Sequence, residues 1–539
     1  MLDRAFEQLT PRLRAAQKGY RDYAKLAEAR RKSTLVRTPY MASAPKLASA
    51  PKLASLQDMA SLQDMASLQD MASLQDMASL QDMASLQDMA SLQDMASLQD
   101  MASLQDMASA PKLASLQDMA SAPELASAPE LASEQHSPAT YWNNPDMQQL
   151  VDDCLNIRCL DPAMGSGHFL VEVVDYVSNR LISFLNGWSE NPVWAFIERT
   201  RDDILGEMER QHVTIDAERL TRVALLKRAV LKRCVYGVDL NAMAVELAKV
   251  SLWLDAFTLG APLSFLDHHL KHGNSLIGAR VKDMQEYLKA SDQIDMFSGS
   301  KFAGVMLATD LMRQVSYLSD NTVEQTRRSA EAYRDASDHL APYKRLLDVY
   351  TSRWFGNTTA KKVKSDYVRL FLQEPQTEAW LSDPSVALDD RLIPATQIAA
   401  TALRAAEDKR FFHWELEFPE VFFAPSTPGG QDVQLREGGG FDAVVGNPPY
   451  DVLAEKERDE NLVAELSFFS QDLRYRATEG GKLDLFRLFT AHAGFTIASD
   501  GVFGFIIYVY PSRFASCITT KDLAPKLSCI RNRGIPAKG

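Results

Sequence analysis

The pattern of apolar and polar positions divides the chain into unlike regions. Residues 1–41 are charged and helix-prone, with Leu2, Phe6, Leu9 and Leu13 along one side, and they predict an N-terminal helical segment. From Ala42 to Leu131 fifteen six-residue units follow one another, ten of them Ala-Ser-Leu-Gln-Asp-Met and five Ala-Ser-Ala-Pro-Lys-Leu or its Glu form. An apolar residue every three positions spirals around a helix and never builds one face, and the prolines at both ends break it. Residues 42–131 therefore read as a low-complexity spacer, with a self-associating repeat array as the alternative.

Beyond the repeat the pattern alternates between short buried strands and amphipathic helices, the signature of a doubly wound, mainly parallel α/β sheet. Asn156–Leu160 reads as the first strand, Arg233–Val238 as the second, Lys271–Leu276 as the end of a third, Phe441–Gly446 as the fourth and Gly501–Val509 as the fifth. Residues 145–280 carry the first half of this sheet and residues 411–516 the second. Between them 281–410 predict a helical insertion, and 517–539 have no periodicity. The expected architecture is α/β and Rossmann-like, with a helical insertion and an N-terminal repeat.

Three strand ends carry candidate chemistry. After strand one comes Asp161-Pro162-Ala163-Met164-Gly165-Ser166-Gly167, a turn in which glycine lets backbone approach a ligand. It has neither dinucleotide nor P-loop spacing. Asp239 ends strand two, where a carboxylate can accept from ribose hydroxyls, and Asn274 follows strand three. The fourth strand runs into Asn447-Pro448-Pro449-Tyr450, a rigid corner because each proline fixes the turn and restrains the residue before it. Such a corner can hold an amide oxygen against an exocyclic amino group and a ring against a base.

These ordered motifs resemble those of adenine-specific N6 DNA methyltransferases, above all the large methylases of restriction–modification and related phage-defence systems. The stretch Phe412–Phe422 before the corner and Asp484–Phe489 after it are similar too. The resemblance implies S-adenosylmethionine held by Asp161, Ala163, Gly165, Ser166, Gly167, Asp239 and Asn274. It implies that Asn447, Pro448, Pro449 and Tyr450 hold a flipped adenine, and that DNA is the partner. Methylation of RNA adenine or of a protein glutamine, and an inactive fragment that only binds cofactor or a partner, are the alternatives. Members continue past Pro511–Phe514 with further strands and a target-recognition domain, so a missing carboxyl-terminal domain or a separate specificity polypeptide is expected to choose the site.

Charge and thiols narrow the picture. A net charge of −13 over 539 residues works against phosphate binding, which needs a basic face. Only the stretch around Arg353, Lys361 and Lys362, interleaved with Tyr350, Trp354 and Phe355, offers one; a solvated helix face with core aromatics is the plainer reading. Five cysteines without a Cys-x-x-Cys pair read as reduced thiols of a cytoplasmic protein. The run Asp267–His272 places three histidines together, but it leads into a strand, so no metal is expected.

Overall fold

A computed structural model describes residues 2–37, 141–213, 216–289, 303–357, 367–425, 433–453, 460–478 and 483–506. The hexapeptide repeat, Lys361, Lys362, Pro511–Phe514 and residues 517–539 lie outside these. Five parallel strands form the central sheet: β1 (Cys159–Asp161), β2 (Val235–Asp239), β3 (Leu270–His272), β4 (Phe441–Gly446) and β5 (Ile497–Phe505). Their spatial order is β3-β2-β1-β4-β5. Strand order reverses between β1 and β4, and a crevice opens at the carboxyl ends of strands at such a point. The fold is the Rossmann-like α/β arrangement expected.

Strand boundaries differ from the sequence reading: Arg233 and Cys234 end the helix before the second strand, which starts at Val235, and the third strand stops at His272. The first strand is confined to Cys159–Asp161. The fifth begins at Ile497, four residues before Gly501, because Ile497 pairs with Phe441 before a register shift carries Val502 to Ala443. Ser499-Asp500-Gly501 looks like a turn locally, and a bulge absorbs it inside the strand.

The described helices include α1 (Leu2–Arg37), α2 (Pro145–Cys154), α3 (His168–Leu185), α4 (Pro192–Arg210), α5 (Arg222–Cys234), α6 (Ala242–Asp255), α7 (Val281–Lys289), α8 (Ala303–Tyr317), α9 (Val323–Thr351), α10 (Ala395–Lys409) and α11 (Leu485–Thr496). Their starts are legible in the sequence. Asn144, Thr221, Asn241 and Thr322 each accept a backbone N–H as an N-cap, and Pro145 and Pro192 open α2 and α4.

Strand alternation assigns the two faces. Gly237 of β2 turns toward Met164 and Leu170, while its neighbours Tyr236 and Val238 join Leu346, Phe371, Trp380 and Ile398 of residues 281–410 in one buried cluster. The helices between strands three and four thus share a core with the sheet and form one of its layers. Residues 1–17 and 144–539 form one compact unit and residues 18–143 a second. In the first, Leu2, Phe6, Leu9 and Leu13 of α1 are buried as their spacing implies, with Phe6 stacked on Phe184 of α3 at 4.2 Å. In the second, the Tyr20 and Trp142 rings stack at 4.8 Å. No helix among the described residues is long and apolar enough to cross a membrane.

Candidate active site

The loop after β1 is held by β2. Met164 N–H donates to the Val238 carbonyl at 3.1 Å, and Gly165 N–H to Asp239 Oδ2 at 2.9 Å. Asp239 Oδ1 accepts from Asn241 N–H at 2.8 Å, so this carboxylate braces the glycine loop and the start of α6 together. Gly165 and Gly167 have φ of +54° and +81°, the left-handed region in which L side chains are strained. A Cβ on Gly167 would lie 3.0 Å from Ala248 Cβ; one on Gly165 would meet nothing within 4 Å. The first glycine keeps backbone open to the crevice, and the second lets α3 and α6 approach.

Asp161 stands at the base of this loop, almost wholly buried. Its Oδ1 accepts from Ala163 N–H at 3.0 Å, while Oδ2 has no partner. Burial pushes the carboxyl up to about 7, and the nearby Asp239 charge adds to the rise. An unpaired buried acceptor beside open backbone fits a ligand carrying hydrogen-bond donors or positive charge. Ser166 Oγ and His168 Nδ1 lie 2.8 Å apart at the loop's tip. Asn274 closes the far side, its Oδ1 accepting from Leu276 N–H at 3.1 Å and its N–H donating to the Arg410 carbonyl at 2.8 Å. All seven residues expected around the cofactor therefore lie at the carboxyl ends of β1, β2 and β3.

The corner meets this loop directly. Gly446 ends β4 at φ +154°, where a Cβ would lie 2.6 Å from Asp161 Oδ1. The next residue, Asn447, is exposed, and its Oδ1 accepts from the Tyr450 hydroxyl at 2.6 Å. The same hydroxyl lies 2.8 Å from the Ile506 carbonyl, and Ile506 N–H donates to the Gly446 carbonyl at 3.0 Å. A hydroxyl carries one hydrogen, so the two acceptors share it. A two-residue ladder, Val452–Leu453 against Leu483–Asp484, fixes the exit from the corner.

Residues 233–528, more than half of the chain, match the model of the Eco57I restriction-modification methylase. The chain belongs to that family. The matched segment takes in Asp239, Asn274 and the Asn447–Tyr450 corner, while the Asp161–Gly167 loop precedes it. A Methanocaldococcus jannaschii protein, provisionally named a type II restriction enzyme and methyltransferase, is 23% identical over 413 residues, 71% of this chain. The aligned segment spans 28% of that relative's length.

Sequence reasoning missed the wedge behind the Eco57I-type site. Phe412 N–H donates to the Ile277 carbonyl at 2.8 Å, and Gly273 and Gly278 leave no room for a Cβ against Phe412. Trp414 Nε1 donates to the Ser275 carbonyl at 2.9 Å, and Ser275 Oγ to the Pro162 carbonyl at 2.6 Å. The end of β3 is thereby locked to the loop after β1. The signal was present as two glycines flanking Asn274, but which ring they admit is a long-range fact.

The basic stretch resolves unevenly. Lys344 pairs with Glu417 at 2.6 Å, and the Arg345 guanidinium donates to the Leu381 carbonyl, so both are structural. Arg353 differs. Its guanidinium lies 3.9 Å from the Tyr350 ring centroid and 3.7 Å from that of Trp354, and its Nε has no partner. Of the three neighbouring histidines, His268 and His269 are buried and stack at 3.8 Å, and burial drives both well below the usual imidazole range. His272 faces away, its Nε2 3.0 Å from the Leu240 carbonyl.

Proposed function

We propose that this chain transfers the methyl group of S-adenosylmethionine to the N6 amino group of adenine in DNA, within a restriction–modification or related defence system. The observation that carries the reading is the contact of Gly446 with Asp161. It puts the corner that can hold an amino group against the loop that can hold a methyl donor.

In this reading Asp161, Ala163, Gly165, Ser166, Gly167, Asp239 and Asn274 hold the cofactor. The Asp161 Oδ2 lone pairs and the open backbone at Gly165 supply unused capacity. Each Asp239 oxygen already accepts one backbone N–H and keeps a further lone pair for a ribose hydroxyl. When bound, S-adenosylmethionine supplies an electrophilic sulfonium methyl. Asn447 Oδ1 and the Pro448 carbonyl, which the N–H-less Pro449 follows, accept the two amino hydrogens and free the nitrogen lone pair for attack. Tyr450 stacks on the base, and its hydroxyl leaves Asn447 to the substrate, keeping the Ile506 carbonyl. Positioning does most of the work, and the nitrogen gives up one proton to solvent after transfer.

DNA contact falls to Arg353, whose guanidinium is held against the Tyr350 and Trp354 rings, with Lys361 and Lys362 on the same stretch. With a net charge of −13, binding by this chain is weak, salt-sensitive and indifferent to sequence. A further domain or a separate polypeptide selects the site, and residues 42–131 act as a spacer. The test is incubation with S-adenosylmethionine labelled in its methyl group and duplex DNA, RNA or glutamine peptides, followed by digestion and mass spectrometry. Label in N6-methyladenine from DNA supports the proposal; label only in RNA or peptide overturns it.

A further inference from the structure

α6 carries apolar side chains on two opposite faces, with Glu246 and Lys249 on one border between them and Ser251 and Asp255 on the other. Val245, Ala248 and Leu252 form its inner face and are buried where the helix packs on α3, β2 and β3. The outer face is bare. Met243 is 65% exposed, Leu247 50%, Val250 45%, Leu254 71%, and Phe257 just past the helix 58%. They follow one another at intervals of four, three, four and three residues, the seam spacing of packed helices. A helix buried on one side ordinarily turns a polar face to water, and one with apolar side chains on both faces is ordinarily covered on both.

We infer that a second copy of this chain covers this face, α6 against α6 and antiparallel. Five large, roughly half-exposed side chains make a patch on the order of 500 Å², near the top of what monomers show. Two such patches together remove about 1,000 Å², where specific interfaces begin. A two-fold axis between Ala248 and Lys249 sets Met243 opposite Leu254 and Leu247 opposite Val250, so each apolar residue meets another. The same axis puts Glu246 opposite Ser251, and no like charges face across the seam. Glu246 is bonded to Lys249 at 2.7 Å, and Lys249 also pairs with Asp267. The carboxylates of Glu246 and Asp267 beside the stripe are both partly exposed and the Lys249 ammonium between them is already paired, the wrong sign for nucleic acid or an anionic lipid surface. The interface does not depend on the chemistry assigned to the strand ends.

The full 539-residue chain should sediment as a concentration-dependent dimer between 1 and 50 µM, on the order expected for a small interface. Leu247→Glu with Leu254→Glu should weaken association at least about 100-fold, since it buries unpaired charge, with circular dichroism and melting unchanged. A photo-crosslinking amino acid at position 250 should capture the peptide containing Leu247 of another copy, identified from mixed heavy and light protein. That measurement stands if the double variant does not fold. A monomer at every concentration overturns the proposal. So does association untouched by the double variant, or a cross-link confined to one copy or to residues 42–131.

Discussion

Gly446 and Asp161 are in contact across β4 and β1 with no room for another atom between them: a Cβ on the glycine would lie 2.6 Å from the aspartate Oδ1. Gly446→Ala must therefore displace the Asp161 carboxylate or the corner that begins at Asn447. A loss of stability of about 1–3 kcal/mol is expected from the overpacking. Affinity for S-adenosylmethionine should also fall. Thermal unfolding and calorimetric titration of the variant check both, and unchanged values in each would show that the contact is dispensable.

Asp239 braces two backbone segments and is assigned the ribose. Asp239→Ala should weaken S-adenosylmethionine binding by about 2 kcal/mol, as for lost charge-assisted hydrogen bonds. Equal affinities in calorimetric titration of parent and variant would remove it from the site.

Asp161 gives a pH signature. Its folded-state pKa of about 7 lies above the unfolded value of about 3.9, so the folded protein holds this proton more tightly. The stabilisation is fully present below pH 4, declines as pH rises toward 7 and is gone above it. Asp161→Asn cannot ionise and should escape that decline. Urea unfolding without cofactor should find the variant more favourable relative to the parent at pH 8 than at pH 4.5. The same difference at both pH values would contradict the assignment.

The corner separates its two side chains. Asn447→Ala should lower methyl transfer by roughly 100-fold or more while leaving the melting temperature within a degree or two, because the residue is exposed and the proposed function makes its amide a transition-state contact. Tyr450→Phe keeps the ring and removes the donor to Asn447, so activity should stay within about 10-fold of the parent. Tyr450→Ala should lose about 1–3 kcal/mol of base stacking. Steady-state kinetics on duplex DNA distinguish these, and equal losses in the two tyrosine variants would deny the ring its role.

Arg353→Ala should weaken DNA binding evenly across sequences and reduce its salt slope by about one, the mark of a phosphate contact. Fluorescence anisotropy over a salt series reads this directly. An unchanged slope would return Arg353 to the plain packing role that Tyr350 and Trp354 already give it.

Local pattern alone determined much of this protein. Phe441, Ala443, Val444 and Val445 are apolar and the stretch ends in Gly446, and the six residues Phe441–Gly446 form β4 with those bounds. The loop at Gly165 and Gly167 and the acid at Asp239 were legible for the same reason, and the cap residues of α2, α5 and α6 are of the types that open helices. Each is fixed by a residue's own backbone preference or by a partner within four positions.

Tertiary structure decided what depends on distant partners. Ser499-Asp500-Gly501 has the composition of a turn, yet pairing of Ile497 with Phe441 draws it into β5 as a bulge. Residues 281–410 read as a helical insertion, and only the folded chain shows that this insertion shares one apolar core with the sheet. Gly273 and Gly278 gave no hint of Phe412, about 135 residues away in sequence. α6 has apolar residues on two opposite faces, and only its packing on α3, β2 and β3 selects the one left for another molecule. Backbone preference acts over a few residues, whereas burial and register depend on which surfaces the folded chain brings together.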